Sequence, residues 1–314
     1  MLRTLLAISR ISGIADAFIR KNIDAFSFTN PELTRTYISA LSPKITPSLI
    51  EEHLPWADSV ISKCEKLGIT IIPIYDNRYP AKLKAIGNPP AVLYLKGNLD
   101  LLKRVVIAVI GTRHSSVLGN TIANRVGTYF SKEHVLCNGL ADGIDKYSIV
   151  CGNGVYPNVI GVLSSGLNYK YSASSITASL ADKTLNCGGL LISEVEPDQK
   201  ENQYSGSRSS RIQAGLSSGL ILVQSSISGG SKYTLKAISR LNRVIGVIVY
   251  NNNTEYEYDI SFSGNRLLER EGMAGLAKMC EIKNLKTLMV KNLIKISSVL
   301  DYERFIQSLS NSLD

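Results

Sequence analysis

The chain has 314 residues, 44% of them hydrophobic, which is enough to bury a large core and a smaller companion domain. Its 35 Lys and Arg outnumber 26 Asp and Glu, and the formal net charge of +9 favours a polyanionic partner, either nucleic acid or an anionic membrane surface. Polar residues interrupt the first segment, MLRTLLAISRISGIADAF, and no apolar run reaches the roughly 18 residues that span a bilayer. We therefore expect neither export nor a membrane anchor.

The five cysteines are scattered, without a CxxC pair that would indicate a zinc site or a redox motif. Free thiols are typical of a reducing compartment. We expect a cytoplasmic protein that needs no metal and no cofactor.

The two ends of the chain show helical spacing of their apolar residues. Residues 1–66 predict a small domain of four or five short helices, with breaks at Gly13, Pro31, Pro43, Pro47 and Pro55. Residues 283–314 return to the same spacing with several lysines, which predicts a helical tail.

The central segment, residues 67–282, has a different pattern from Val105 onward. Short apolar runs typical of strands buried on both faces alternate with stretches of helical spacing. This alternation predicts βαβ units, and hence an α/β, Rossmann-like, doubly wound and mostly parallel sheet. The predicted strands are VVIAVI (105–110), HVLC (134–137), VIGVL (159–163), GLLIS (189–193), LILVQ (220–224) and VIGVIVY (244–250).

Ligands of open parallel sheets bind outside the carboxyl ends of the strands, where Gly-rich turns and helix N-termini approach an anion. The candidate residues for this edge are Gly111, Thr112, Arg113, Ser115 and Ser116 after the first strand, Gly139, Gly143 and Lys146 after the second, Lys170 between two tyrosines after the third, Tyr204, Arg208 and Arg211 before the fifth, and Gly229, Gly230, Ser231 and Lys232 after it. Because the six cations among them would all face one edge, the sequence predicts a basic pocket for phosphates. For each turn alone, a structural arginine, a tight turn or a solvated lysine explains the residues equally well.

Eight segments between about Leu67 and Met273 resemble, in order, the DprA/Smf family of DNA-processing proteins. IAVIGTRHSS resembles the family's GTRxxS turn, NGLADGID its SGLAxGID turn, RIQAGLS its RIIAGLS helix, and SGNRLLEREGM its GxNxLIRxGA ending. The entry segment 67–102 and the segments VLSSGLNYKYS, GGLLISEVEP and ILVQSSISGGSKYT complete the series.

This resemblance implies a protein that holds single-stranded DNA on its Rossmann-like domain and passes it to a RecA-type recombinase during DNA uptake, natural transformation or recombination. It implies a homodimer and no enzymatic activity. By position, Arg113, Ser116 and Arg211 match family residues that contact DNA, and Tyr204 approximates the family's aromatic residue. The N-terminal domain would be SAM-like or helix-hairpin-helix-like, with ISGIADAF (11–18) as a decayed hairpin.

Some residues depart from the family pattern. Ser209 and Ser210 replace the Arg and Asn that precede Arg211, and Gln224 replaces a Glu. Ile149 and Ser172 stand where a His and a Pro are usual. These changes indicate a diverged pocket.

Other functions have weaker support. A Rossmann-like nucleotide sensor or phosphoribohydrolase-like protein is the main alternative, but Ala237 stands where the hydrolase motif has its catalytic Glu. A metal-dependent nuclease would need to cluster carboxylates from Asp142, Asp145, Glu194 and Glu196. A classical dehydrogenase would need GxGxxG where this chain has GTRHSS.

Overall fold

The computed structural model describes residues 1–14, 16–26, 31–202, 205–250 and 253–310. Its α-helices are α1 (Leu2–Arg10), α2 (Asp16–Lys21), α3 (Pro31–Leu41), α4 (Pro47–Leu67), α5 (Ala81–Lys84), α6 (Val117–Phe130), α7 (Ile144–Ile149), α8 (Tyr169–Ser172), α9 (Ser175–Asn186), α10 (Ser205–Leu216), α11 (Ser231–Ile238), α12 (Thr254–Tyr258), α13 (Ser263–Met279) and α14 (Val299–Ser310). Short 3-10 helices cover Ile23–Phe26, Leu99–Lys103, Ile260–Phe262 and Leu285–Thr287.

The strands are β1 (Thr70–Pro73), β2 (Val92–Gly97), β3 (Val106–Gly111), β4 (Val135–Asn138), β5 (Val150–Cys151), β6 (Gly154–Val155), β7 (Val159–Val162), β8 (Leu190–Ser193), β9 (Gly219–Gln224), β10 (Val244–Ile248) and β11 (Asn292–Ile296). In the described residues nine of them form one sheet in the order β1-β2-β8-β7-β4-β3-β9-β10-β11, while β5 and β6 form a separate hairpin. The six strands predicted from apolar runs are present, each within two residues of its predicted ends.

The sheet is mostly parallel, as predicted. Only β1 and β2 break the pattern, because β1 pairs with β2 and β2 with β8 in antiparallel register. The chain extends from β3 through β4 and β7 to β8 on one side, then returns to place β9, β10 and β11 on the other side of β3. This reversal next to β3 is a topological switch point, where ligands of such sheets bind.

The N-terminal residues are helical, as expected, with one correction. Helix α4 begins with the Thr46 side chain accepting a hydrogen bond from the backbone N–H of Leu49, and it ends at Gly68 with φ +64°. It runs through Pro55, where a break was predicted. Pro55 lies on the exposed face of α4, so water can hydrate the carbonyl that loses its helical hydrogen bond.

The C-terminal tail is helical only in part, which corrects the prediction for residues 283–314. Asn292–Ile296 pair in parallel with Val244–Ile248 and extend the sheet, and helix α14 follows. A run of five residues is too short for periodicity to separate strand from helix, and the free edge of β10 offers hydrogen bonds to a strand. Phe305 of α14 is fully buried and packs edge-on against Phe130, with 5.8 Å between ring centroids. None of the described helices combines the length and apolar character needed to cross a bilayer.

Candidate functional site

A groove of 1070 Å³ runs along the carboxyl ends of the central strands, at the predicted edge of the sheet. Its walls come from the turns after β3, β4, β7 and β9 and from the N-terminal half of α10. The lining residues include Gly111, Thr112, Arg113, Gly139, Asp142, Asp145, Ser164, Glu201, Ser209, Ser210, Gln213, Gly229, Gly230, Ser231 and Tyr233. We call this space the groove.

The turn after β3 presents Arg113 to the groove on a rigid support. The backbone N–H of Thr112 donates to the carbonyl of Gln224 at 2.8 Å. The fully buried Gln224 side chain accepts from the N–H of Ser116 at 3.1 Å and donates to the hydroxyls of Ser116 and Ser261 at 2.9 and 2.6 Å. Arg113 is exposed and forms no ion pair with any described residue. A free guanidinium on a fixed turn is suited to a phosphate.

The turn after β4 is locked against the turn after β3. Gly143 has φ +75°, and a methyl group there would lie 2.4 Å from the carbonyl oxygen of Thr112. Only glycine fits at this close approach. The N–H of Ile144 also donates to the Thr112 carbonyl, at 3.1 Å.

Backbone N–H groups of the turn after β4 already bind a carboxylate of the protein, that of Asp145. The carboxylate of Asp145 accepts hydrogen bonds from the N–H groups of Gly139 at 3.0 Å and Ala141 at 3.3 Å. Enclosure by protein raises the pKa of Asp145 to about 7, although these hydrogen bonds and the nearby Arg113 oppose the shift. Gly139 was predicted to bind phosphate through its backbone, and the structure gives its N–H to Asp145 instead.

The turn after β9 brings Gly229, Gly230 and Ser231 to the groove, where α11 begins. Among the described residues, the buried hydroxyl of Ser231 has no hydrogen-bond partner. A hydroxyl and a helix N-terminus facing one space are suited to an anionic group.

The predicted convergence of six cations on the groove is not found. Among the described residues that line the groove, Arg113 is the only Lys or Arg, and the lining includes the acids Asp142, Asp145 and Glu201. Four of the other predicted cations form ion pairs within the described chain: Lys146 with Asp142 at 3.2 Å, Lys170 with Asp182 at 3.3 Å, Arg211 with Glu194 at 2.5 Å, and Lys232 with Glu281 at 2.7 Å.

Arg211 lies outside the groove, and its guanidinium is bound by other residues of the protein. Its guanidinium donates to Glu194 and to the carbonyls of Asn88 and Arg208, the latter two at 2.9 Å. These contacts join α10 to the segment before β2. Arg208 is exposed on α10 and does not line the groove, and Tyr204 lies outside the described residues.

A second pocket of 480 Å³ adjoins the groove and shares Arg113, His114 and Asp142 with it. The predicted residues Ser115, Ser116, Gly143 and Lys146 line this pocket. The two spaces together follow the strand ends on both sides of Arg113. A chain-like ligand could therefore contact both.

Several lining residues were missed by the sequence reasoning. Tyr233 lies in the groove and is 48% exposed. Of the two tyrosines that flank Lys170, Tyr169 is buried, and Tyr171 lies away from the groove beside Lys200. Tyr233 follows the Gly-Gly-Ser turn directly, a position that could have identified it. Gln213 of α10 carried no motif of its own.

The carboxylates considered for a nuclease do not meet. Asp142 pairs with Lys146, Glu194 with Arg211, and Asp145 with backbone amides. Within the described ranges, no group of three His, Cys, Asp or Glu side chains is placed to hold a metal ion.

Comparison with known proteins assigns the family. The model for the family DNA recombination-mediator protein A matches residues 70–285. The chain belongs to the DNA recombination-mediator protein A family. The family expected from the eight segments is thereby confirmed, as is the fold class.

Curated relatives of the family cover most of this chain. DNA processing protein DprA of Bacillus subtilis (strain 168) is 34% identical over 215 residues, which cover 67% of this chain and 70% of the relative. DNA processing protein DprA of Streptococcus pneumoniae (strain ATCC BAA-255 / R6) is 30% identical over 224 residues, covering 71% and 78%. This membership supports a DNA-processing role in recombination.

Solved structures of the family share the fold. The crystal structure of DNA processing protein A from Streptococcus pneumoniae has a TM-score of 0.73 and 24% identity, and covers 97% of this chain and 98% of that one. A structure that describes the single-stranded DNA binding mode of DNA processing protein A from Helicobacter pylori has a TM-score of 0.54 and 21% identity, and covers 69% and 92%.

Proposed function

We propose that this protein binds single-stranded DNA in the groove and delivers it to a RecA-type recombinase during DNA uptake or recombination. The single observation that carries the DNA part is the unpaired Arg113 on its fixed turn, at the switch point of a recombination-mediator fold. Family membership and the binding mode described for the Helicobacter pylori relative support it. The recombinase part is supported by the family description alone.

The chemistry of the groove suits binding better than bond cleavage. Arg113, hydroxyls, one amide and backbone groups line the groove beside three carboxylates that do not cluster around a metal site, and Tyr233 offers an exposed ring on which a base could stack. We propose that the protein is not an enzyme, that it works as a homodimer, and that it acts in the cytoplasm, where its five free cysteines suit a reducing environment.

The test of DNA binding is a titration with oligo-dT, the corresponding duplex and a mononucleotide, each at several salt concentrations. We expect oligo-dT to bind most tightly. Replacing Arg113 with Ala should weaken oligo-dT binding and flatten the slope of log affinity against log salt by about 0.7, the value for one phosphate contact on a single strand.

Arg208→Ala is the matched control, because Arg208 is an exposed cation on α10 that does not line the groove. It should leave the salt slope close to that of the wild type. A larger effect of Arg208→Ala than of Arg113→Ala would place the DNA along α10 and refute the groove. Tighter binding of the mononucleotide than of oligo-dT would favour the nucleotide-sensor alternative.

The partner proposals need separate measurements. Mass photometry of the purified protein should show a dimer at micromolar concentration. On single-stranded DNA coated with its binding protein, addition of this protein should shorten the lag of recombinase filament growth, and Arg113→Ala should not.

A further inference from the structure

A buried amide faces the groove from helix α10. Gln213 is 6% exposed, and it lines the groove between the hydroxyls of Ser209 and Ser210 and the turn after β4. Within the described part of the chain, its side-chain amide makes no hydrogen bond; only its backbone carbonyl accepts one, from Ser217. An amide that has no protein partner and faces open space is available to hydrogen-bond a ligand.

A second polar group faces the same point. A methyl group placed on Gly139 would lie 3.2 Å from Oδ2 of Asp145 and 3.3 Å from Nε2 of Gln213. The glycine thus leaves open a small space that is bordered by a carboxylate and an amide. Arg113 is the charged group whose field acts on Asp145 there.

Two small residues of α10, Ser209 and Ser210, line the same groove as this space. Ser209 and Ser210 fold back onto the helix, since both hydroxyls donate to the carbonyl of Gly206.

We propose that Gln213 and Asp145 form a base-reading subsite at the floor of the groove, which favours cytosine or adenine over thymine. The inference rests on the proposed binding of single-stranded DNA. A side-chain amide supplies two N–H donors and an oxygen acceptor, and an ionised carboxylate supplies acceptors only.

Cytosine and adenine complement this set. Their exocyclic amino group donates to the carboxylate of Asp145, while the neighbouring ring nitrogen accepts from Nε2 of Gln213, the two atoms that border the space. Thymine places a carbonyl oxygen where the amino group would be, and this oxygen would face the carboxylate. The preference for cytosine or adenine over thymine comes from the added hydrogen bond and from the repulsion between the thymine oxygen and the carboxylate.

The experiment compares oligo-dC with oligo-dT of equal length at pH 8 and fixed salt, by competition against a labelled strand. Both are pyrimidine strands, so differences in stacking within the DNA are small. We expect oligo-dC to bind the wild type at least about fivefold more tightly, the lower end of what one good base contact provides. Gln213→Met, which keeps the length of the side chain, should lower this preference, because only the contact to Asp145 remains, and should leave the affinity for oligo-dT within about twofold.

Ser217→Ala is the control for general changes at the end of α10, because the Ser217 hydroxyl donates to the backbone carbonyl of Gln213 and leaves its side chain in place. It should keep the preference for oligo-dC. Equal binding of oligo-dC and oligo-dT by the wild type, or an unchanged preference in a folded Gln213→Met, would overturn the subsite and leave the proposed function standing. Failure of the wild type to bind either strand would overturn both.

Discussion

Replacing Gln224 with Met should destabilise the protein by about 2–4 kcal/mol. The side chain is fully buried and makes three hydrogen bonds, to the N–H and hydroxyl of Ser116 and to the hydroxyl of Ser261. Each is worth about 1 kcal/mol net, and a part-buried N–H that loses its acceptor adds a desolvation cost. Met has nearly the volume of Gln, so no large cavity contributes.

Urea denaturation followed by far-UV circular dichroism measures this change as a lower midpoint with an unchanged slope. Gln224→Glu is the informative companion, because the N–H and both hydroxyls can donate to a carboxylate and the residue is the one usual in the family. It should cost less than Gln224→Met. Loss of less than about 0.5 kcal/mol in Gln224→Met would show that these three hydrogen bonds do not hold the turn that carries Arg113.

Gly143→Ala should lower the free energy of unfolding by more than about 3 kcal/mol, because a methyl group would lie 2.4 Å from a backbone oxygen. The control Gly152→Ala has φ +57° but open space around it, and should cost about 1 kcal/mol. Equal losses for the two variants in urea denaturation would contradict this. Below its pKa, which burial raises from 3.8 to about 7, Asp145 keeps its proton in the folded protein, so this group should make stability fall by about 1.4 kcal/mol per pH unit between pH 5 and 6 and by about half as much per unit near pH 7. Asp145→Asn should remove that slope, and an unchanged slope would refute the assignment. Phe305→Ala should cost about 3–5 kcal/mol by opening a cavity under α14, and a cost below 1 kcal/mol would show that the tail is dispensable for the core.

The strands of the sheet could be predicted because burial on both faces leaves a direct signal in the sequence. Runs such as VVIAVI are apolar throughout, and each ends in a turn rich in Gly or Ser. The edge strand β11 lacks this signal, since four of its five residues are exposed or half-buried. It is a strand because β10 offers it a hydrogen-bonding edge, which is tertiary information.

The same distinction applies to the site. The glycine turns at the strand ends were predictable, because their positions follow from the order of strands. Which of the cations form ion pairs could not be predicted, because their partners lie elsewhere in the chain. Glu281 is 49 residues from Lys232, and Glu194 is 17 residues from Arg211. A list of cations read from turns therefore overestimates the free positive charge of a pocket.

Because most of the predicted cations are paired within the chain, the net charge of +9 overstates the positive charge that can contact DNA phosphates. If only Arg113 meets a phosphate in the groove, the salt slope for oligo-dT should be close to −0.7, and the remaining positive charge acts at a distance by attracting the strand. The pair of Lys232 with Glu281 is open to solvent on the Glu281 side, which is 69% exposed, and such pairs contribute about 0–1 kcal/mol. A DNA phosphate could therefore replace Glu281 as the partner of Lys232 at a small cost in free energy. A phosphate could replace Asp142 as the partner of Lys146 in the same way. A slope near −2 that falls by one contact in Lys232→Ala would therefore mean that DNA takes over these lysines, whereas a slope near −0.7 would leave base contacts and backbone amides to supply most of the affinity.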